Sequence, residues 1–506
     1  MAHTEELPPG PDFTQGVPLA SIPDTGVLAG RVGDESVLLA RLDDGLHAVG
    51  GNCTHYGGPL GEGFVAGDEV RCPWHHACFS LRTGRARKAP AFAPLSTWRV
   101  EVVGDQAFVR EKLEAAPKPT HRPSIPRERI VIVGGGAAGF AAAERLRELG
   151  HAGALTMLSA DSAGPYDCPN LSKDYLAGTA PEEWIPLTSD KHYARRKIDL
   201  RLETEVAAID ASAREVQLAN GERIGYDALL IATGAEPRTL PLPGFDRADV
   251  FTLRSLADAR SIITACRQAR SVALIGAGFI GMEAAGALRE RGLDVHVVAP
   301  DAVPLERALG AELGGFIQSL HAAGGVQFHL REKPAQFDGN ALVLESGKRI
   351  DADVLIVGTG VVPRTQLAEQ AGMRVDNGIL VDATLQTSLP DHFAAGDVAR
   401  FPLGADHVRV EHWVHAERMG QAAAANLLGA GQPFDDVPFF WTHHRGVEVR
   451  YCGYAGQWDS VRIDGSLEAR DFTARYFRGD TLVAAASVGR DLENLEIEAS
   501  LRRASA

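Results

Sequence analysis

The sequence predicts a multidomain chain: an N-terminal all-β domain, then two doubly wound α/β domains, then a small α+β domain built on an antiparallel sheet. Three observations predict it. A run of strand, glycine-rich turn and helix occurs twice, starting at Ile130 and Val272, with its leading glycines Gly134 and Gly276 142 positions apart. Ahead of it, residues 17 to 110 hold only short alternating apolar runs broken by Gly, Asp and Pro. At 506 residues the chain is also too long for one core, since roughly 150 residues per domain suggests three or four.

The elements follow in order. Ser36-Val37-Leu38-Leu39-Ala40, Leu46-His47-Ala48-Val49 and Thr97-Trp98-Arg99-Val100-Glu101-Val102 read as strands of the all-β domain. Between Lys112 and Arg129 four prolines and no periodicity predict a semi-extended linker. Ile130-Val131-Ile132-Val133 then leads through Gly134 to Gly139 into a helix ending at Gly150, and Val272-Ala273-Leu274-Ile275 through Gly276 to Gly281 into one ending at Gly292. After about Pro433, segments such as Val447-Glu448-Val449-Arg450-Tyr451 and Asp471 to Phe477 predict the small sheet.

Composition narrows the function. Lys and Arg number 51 against 66 Asp and Glu, a formal charge of −15, which argues against nucleic acid as a partner because phosphate binding needs clustered cations. The basic knot Arg82, Arg85, Arg87 and Lys88 reads as a solvated face. No apolar run reaches the ~18 residues of a membrane span. Met1-Ala2-His3-Thr4-Glu5-Glu6 is acidic and lacks a secretory pattern. The six cysteines do not form a disulfide framework. The expectation is a soluble, cytoplasmic protein.

Four residues carry a metal signature. Cys53-Thr54-His55 and Cys72-Pro73-Trp74-His75, sixteen residues apart, each pair one cysteine with one histidine. Two thiolates on one iron and two imidazoles on the other is the Rieske [2Fe–2S] arrangement. The rival is a Cys₂His₂ zinc site, where a histidine pair usually follows a cysteine pair. Where disulfide-bearing Rieske loops have a further cysteine, this chain has Gly58 and Trp74, which resembles the low-potential, ferredoxin-type group. Cys78 reads as a small core residue.

Gly134-x-Gly136-x-x-Gly139 follows a strand and opens a helix, and Asp161 stands 22 residues beyond its last glycine. Such glycines let the backbone approach a pyrophosphate at the helix N-terminus, while the acidic residue holds a ribose. Gly276-x-Gly278-x-x-Gly281 has the same setting, with Asp301 20 residues on. Two dinucleotide sites are therefore expected. No Arg follows Asp301 closely, Arg307 being the nearest, which favours NADH over NADPH.

From about Ile130 onward the chain resembles the pyridine-nucleotide flavoprotein reductases, specifically the apoptosis-inducing-factor-like and oxygenase-coupled ferredoxin reductase group. The marks are Pro165-Tyr166-Asp167 with Leu171-Ser172-Lys173, Leu230-Ile231-Ala232-Thr233-Gly234, Val357-Gly358-Thr359-Gly360, Ala395-Gly396-Asp397 and Glu411-His412-Trp413. With the Cys/His loops and Ala77-Cys78-Phe79, the whole chain resembles the Rieske-bearing branch. The resemblance implies a Rieske domain over 1–111, a linker over 112–128, an FAD-binding domain over 129–250 and 376–432, an NAD(P)-binding domain over 251–375 and a C-terminal reductase domain over 433–506. It places FAD on Gly134, Gly136, Ala138, Gly139 and Asp161, with Lys173 near the flavin, Thr233 and Gly234 lining it and Asp397 on its ribityl chain, and it counts Gly360 among the cofactor-binding residues. NAD(P)H falls to Gly276, Gly278, Gly281 and Asp301, with Glu283 at the nicotinamide end, and Glu411 and Trp413 lie beside the isoalloxazine. Lys173, Glu283 and Trp413 are the expected catalytic residues. One departure stands out: where the family usually has Arg after Pro-Tyr-Asp, this chain has Cys168, so one flavin contact is missing.

The implied chemistry is hydride transfer from NADH to FAD, then single electrons to the [2Fe–2S] cluster and on to an external acceptor: an oxygenase, a cytochrome P450 or a ferredoxin-like carrier. A homodimer is possible. The other class of reading is a redox-responsive signalling or scaffold protein that oxidises NADH slowly. No Cys-x-x-Cys occurs, which argues against thiol–disulfide exchange. The adjacent His443 and His444 read as ordinary sheet residues.

Overall fold

The computed structural model describes residues 9–114, 124–404 and 406–505. The acidic start and the middle of the proline-rich segment, residues 115–123, lie outside the described residues. Two compact units result, one from residues 1–122, 148–150 and 490–506, the other from 123–147 and 151–489.

In the first unit, alternating strands build a six-stranded sheet. Its order is Val17–Pro18, Gln106–Lys112, Thr97–Val103, Gly45–Gly50, Glu35–Leu42, Val27–Val32. Strand Glu35–Leu42 shows how the period of two works when both faces are covered. Val37 and Leu39 enter one core with Phe13 and Trp98. Leu38 and Ala40 enter another with Leu60, Val70, Phe79 and the two predicted ligand cysteines. A second, four-stranded sheet runs Phe64–Ala66, Glu69–Arg71, Cys78–Ser80, Ala86–Lys88. The basic knot is a paired surface here: Arg82 reaches Asp43, Asp44 and Asp68, and Arg87 reaches Asp68 and Glu69. The C-terminal helix Asp491–Ser505 belongs to this unit, with its buried Glu498 on the His76 ring.

The second unit contains one design twice. Five parallel strands run Asp199–Arg201, Ala154–Leu158, Arg129–Val133, Ala228–Ile231, His392–Ala394, and again Val250–Phe251, Val354–Val357, Ser271–Ile275, Asp294–Ala299, Gln327–Leu330. Each is accompanied by a three-stranded antiparallel sheet, Val206–Asp210 to Arg223–Gly225 and Pro334–Phe337 to Arg349–Asp351. The central strands are apolar throughout, as strands covered on both faces must be. A five-stranded antiparallel sheet, from Phe439–His444 to Thr481–Val488, completes the unit and packs its Tyr451, Phe472 and Tyr476 against the second parallel sheet's helices. Among the described residues no helix is long and apolar enough to cross a membrane.

Candidate functional site

In the first unit, Cys53, His55, Cys72 and His75 sit on two loops of equal geometry. The amide of Cys53 donates to Gly58 O at 2.8 Å, and that of Cys72 to Ala77 O at 2.8 Å. In return the amides of Gly57 and His76 donate to the carbonyls of Cys53 and Cys72 at 2.9 and 3.1 Å. Each turn needs a left-handed residue four positions after its cysteine, φ +77° at Gly57 and +59° at His76. Glycine takes that conformation freely, while a non-glycine residue needs surrounding packing to hold it. The loops bring thiol to thiol and imidazole to imidazole. Cys53 and Cys72 are both buried, and the Cys53 thiol is pushed far up, first by its hydrogen bond with the Cys72 sulfur and then by burial. The Nδ1 atoms of His55 and His75 are 3.2 Å apart, and burial lowers His55 to about 4, so its ring is neutral and able to ligate.

In the second unit, both glycine turns are forced by backbone contact. Gly134 and Gly276 have φ of +117° and +107°, and a Cβ on either would lie 2.1 and 2.3 Å from the carbonyl oxygens of Ala232 and Gly358. A Cβ on Gly139 or Gly281 would meet the carbonyl of Gly134 or Gly276 at 2.0 and 2.3 Å. At Gly136 and Gly278, by contrast, a Cβ would meet nothing within 4 Å. That open space over each helix N-terminus, Ala137–Glu148 and Phe279–Glu290, is where a pyrophosphate fits.

A single cavity of about 440 Å³ touches both turns. Gly136 and Ala138 line it from one side and Gly278 and Gly281 from the other, with Lys173, Glu283, Asp397 and Trp413 between them. Lys173 and Glu283, 110 positions apart, meet there: Lys173 Nζ donates to Glu283 Oε2 at 2.8 Å, and Ser172 Oγ donates to the same oxygen at 2.6 Å. Asp397 Oδ2 accepts from Arg254 at 2.7 Å, and Arg409 pairs with Glu411 at 2.6 Å.

The chain was compared with known proteins. The family model described as pyridine nucleotide-disulphide oxidoreductase matches residues 128–420. The chain belongs to that family. The Rieske [2Fe–2S] domain matches residues 17–99 and the reductase C-terminal domain residues 439–503. Among similar proteins, human apoptosis-inducing factor 3 is 34% identical over 485 residues, covering 91% of this chain and 79% of that protein. The ferredoxin–NAD(+) reductase component of the anthranilate 1,2-dioxygenase system of Burkholderia cepacia is 38% identical over 372 residues, 72% of this chain and 92% of that one. The covalent putidaredoxin reductase–putidaredoxin complex matches with a TM-score of 0.72 at 32% identity, covering 74% of this chain and 93% of that one.

This member of the oxidoreductase family is an NAD(P)H-dependent FAD oxidoreductase with a Rieske-type [2Fe–2S] domain, acting in electron transfer. Its residues fit those groups: the thiol and imidazole pairs suit two irons, and the open space at Gly136 and Gly278 suits two dinucleotides. Not every predicted residue faces the cavity. Asp161 accepts from Ala163 N at 3.0 Å and from Tyr166 OH at 2.7 Å, which holds its own turn. Thr233 Oγ1 donates to the Arg364 carbonyl at 2.9 Å, whereas Gly234 and Gly360 line the cavity. Asp301 pairs with Arg307 at 3.1 Å, so a guanidinium stands beside that carboxylate. Cys168 lines the cavity with its thiol pushed up to about 12 by burial, so it is neutral, and Arg254 lines the same cavity. Cys78 is a buried core residue.

Sequence reasoning missed Arg254 and Thr442, quoted Ser172 only within a family mark and read His444 as an ordinary sheet residue. Thr442 Oγ1 donates to Glu283 Oε1 at 2.7 Å, and His444 is fully buried beside it. The pattern of strand Phe439–His444 marks Thr442 and His444 only as same-face neighbours.

Proposed function

We propose that this protein takes hydride from NADH at the cavity between the two glycine turns and passes single electrons through its own Rieske cluster to an external carrier. The observation that supports this most is that one cavity is lined by both turns, so that the two dinucleotides' redox ends would meet. Bound FAD supplies the exchange between a two-electron donor and a one-electron acceptor. The chain supplies the rest. Gly136 and Gly278 would leave room for the pyrophosphates, Asp397 and Glu411 would orient the flavin's polar edges, and Trp413 with Phe440 and Trp441 would keep water from it. Lys173 holds its ammonium against Glu283 Oε2, giving that wall a fixed, paired charge. Asp161 and Asp301 are assigned to the adenosine riboses, and Cys53, His55, Cys72 and His75 to the two irons. The acceptor is an oxygenase, a cytochrome P450 or a ferredoxin-like carrier; the names of two similar reductases, a dioxygenase-system component and the partner of putidaredoxin, support an oxygenase or a small carrier, and the protein is placed in the cytoplasm. The homodimer would be read by light scattering on the same preparation.

The test is an anaerobic NADH titration followed by absorbance and low-temperature EPR. Bleached flavin with a reduced-Rieske signal is the expected result. Flavin bleached by excess NADH with the cluster still oxidised would overturn internal transfer and favour the signalling reading.

A further inference from the structure

A hydrogen-bonded chain runs from the cavity wall into the C-terminal sheet, and its proton positions follow by elimination. Glu283 is a buried carboxylate that accepts from Ser172, Lys173 and Thr442. A carboxylate only accepts, so the single hydroxyl proton of Thr442 points at Oε1. Thr442 Oγ1 must then accept from its other neighbour, His444 Nε2, at 3.2 Å. With its proton on Nε2, a neutral His444 offers Nδ1 as an acceptor, and His321 Nε2 lies 3.1 Å away. His321 therefore carries its proton on Nε2, which leaves Nδ1 bare. That atom is buried and has no hydrogen-bond partner. Every donor in the chain faces Glu283.

The rings stay neutral at rest. Burial holds both His321 and His444 down to about 3. The charged or titratable groups facing them are His443, Arg445 and Glu283 around His321, and His443 and Lys173 around His444, apart from the two rings themselves. The outer end of the chain lies beside Arg445. A Cβ on Gly286 would lie 4.0 Å from His321 Nδ1 and 3.9 Å from Arg445 Cγ. Arg445 in turn lines a surface cleft of about 700 Å³ with Leu320 and Gly324.

We propose that His321, His444 and Thr442 are positioning residues that carry a proton between the Arg445 cleft and Glu283 Oε1. This rests on the hydride reading above. A hydride brings two electrons and one proton, so a neutral acceptor in the cavity gains one net negative charge beside the Glu283 carboxylate. A proton delivered to that carboxylate would offset the added charge. As a hydronium ion of the cleft's solvent gives a proton to His321 Nδ1 and is left as water, the Nε2 proton of His321 passes to His444 Nδ1. The Nε2 proton of His444 passes to Thr442 Oγ1, and the Thr442 hydroxyl proton to Glu283 Oε1. One proton enters, one is delivered, and each N–H or O–H bond broken is matched by one formed. When the two electrons leave, the hydride's own proton is released from the acceptor to solvent, and the same shifts in reverse return the relayed proton and reset both tautomers.

The test counts protons. NADH is added anaerobically to the FAD- and cluster-loaded full chain in weak buffer with a pH indicator, and proton uptake per flavin bleached is read near neutral pH. Thr442→Val and His444→Gln are expected to cut the wild-type uptake at least about twofold, while Thr442→Ser, which restores a hydroxyl, keeps it. The flavin spectrum of each variant reports whether its site is assembled. Equal uptake in wild type and Thr442→Val, with the flavin bleached in both, would overturn the chain alone. A flavin that NADH leaves unbleached would overturn the hydride reading, and the chain with it.

Discussion

The two glycine turns of the second unit share a backbone and differ in what covers them. Both leading glycines are left-handed, and both are packed within 2.3 Å, at their Cβ positions, of a carbonyl from the neighbouring strand's end. The first turn is roofed: Ala138 is 4% exposed, and Gly396 and Gly420 close on it so tightly that a Cβ on Gly420 would lie 2.2 Å from the Ala138 carbonyl. Gly420 belongs to helix Trp413–Leu427, which follows the chain's return to the first parallel sheet. At the matching place in the second turn stands Ile280, 46% exposed. On the proposed function, the roofed turn would keep a resident dinucleotide and the open one would take a dinucleotide that exchanges. Backbone repeats set where phosphates go; later segments decide how long the ligand stays.

The comparison can be broken most severely at the glycines. Gly139→Val is expected to give protein without FAD, because its Cβ would lie 2.0 Å from the Gly134 carbonyl; flavin absorbance after gel filtration checks this. Gly281→Val, the matching change, should keep FAD and raise KM for NADH by about tenfold or more, since it removes binding to the exchanging ligand only. Loss of FAD from both variants would mean that the turns are not independent.

A smaller effect concerns the roof alone. Gly420→Val should accelerate FAD dissociation while leaving KM for NADH within about twofold, measured by dilution and fluorescence recovery. The ribose ends provide a further contrast. Asp301→Asn releases Arg307 from its partner, and the NADPH-to-NADH ratio of kcat/KM is expected to rise by about five- to tenfold. The double variant with Arg307→Ala should reverse that rise.

The smallest effect is on stability. Asp167 is buried near Lys173, and burial raises its carboxyl to about 6 from an ordinary value near 3.8. A raised carboxylate favours the fold while it stays protonated, so its contribution is complete below about 3.8 and is lost as pH rises through about 6. Asp167→Asn should therefore match wild type near pH 4 and gain up to about 2 kcal/mol above pH 6, read from thermal melts at several pH values.

How much of this was legible without coordinates depended on sequence distance. The iron loops were readable because each is closed by hydrogen bonds between residues no more than five positions apart, such as Cys53 to Gly58. The glycine turns were readable for the same reason: strand, turn and helix start lie within ten residues, and steric exclusion of a Cβ leaves glycine as the signature. Lys173, Glu283 and Asp397 came from the family resemblance, and their pairing with one another or with Arg254 did not. Asp161 and Asp301 stood at the expected spacing, yet their carboxylates hold Tyr166 and Arg307, which spacing cannot show.

The sequence by itself determined that an all-β region precedes two strand–glycine turn–helix units and a final antiparallel sheet, and where the paired Cys/His loops and the two glycine turns lie, because those depend on short-range backbone geometry. Only the tertiary structure decided that Ile280 is open where Ala138 is roofed, and that His321 and His444, 123 positions apart, share a hydrogen bond. Burial and hydrogen-bond partnership are properties of segments that meet after folding, and nothing in the local pattern of either segment encodes the other.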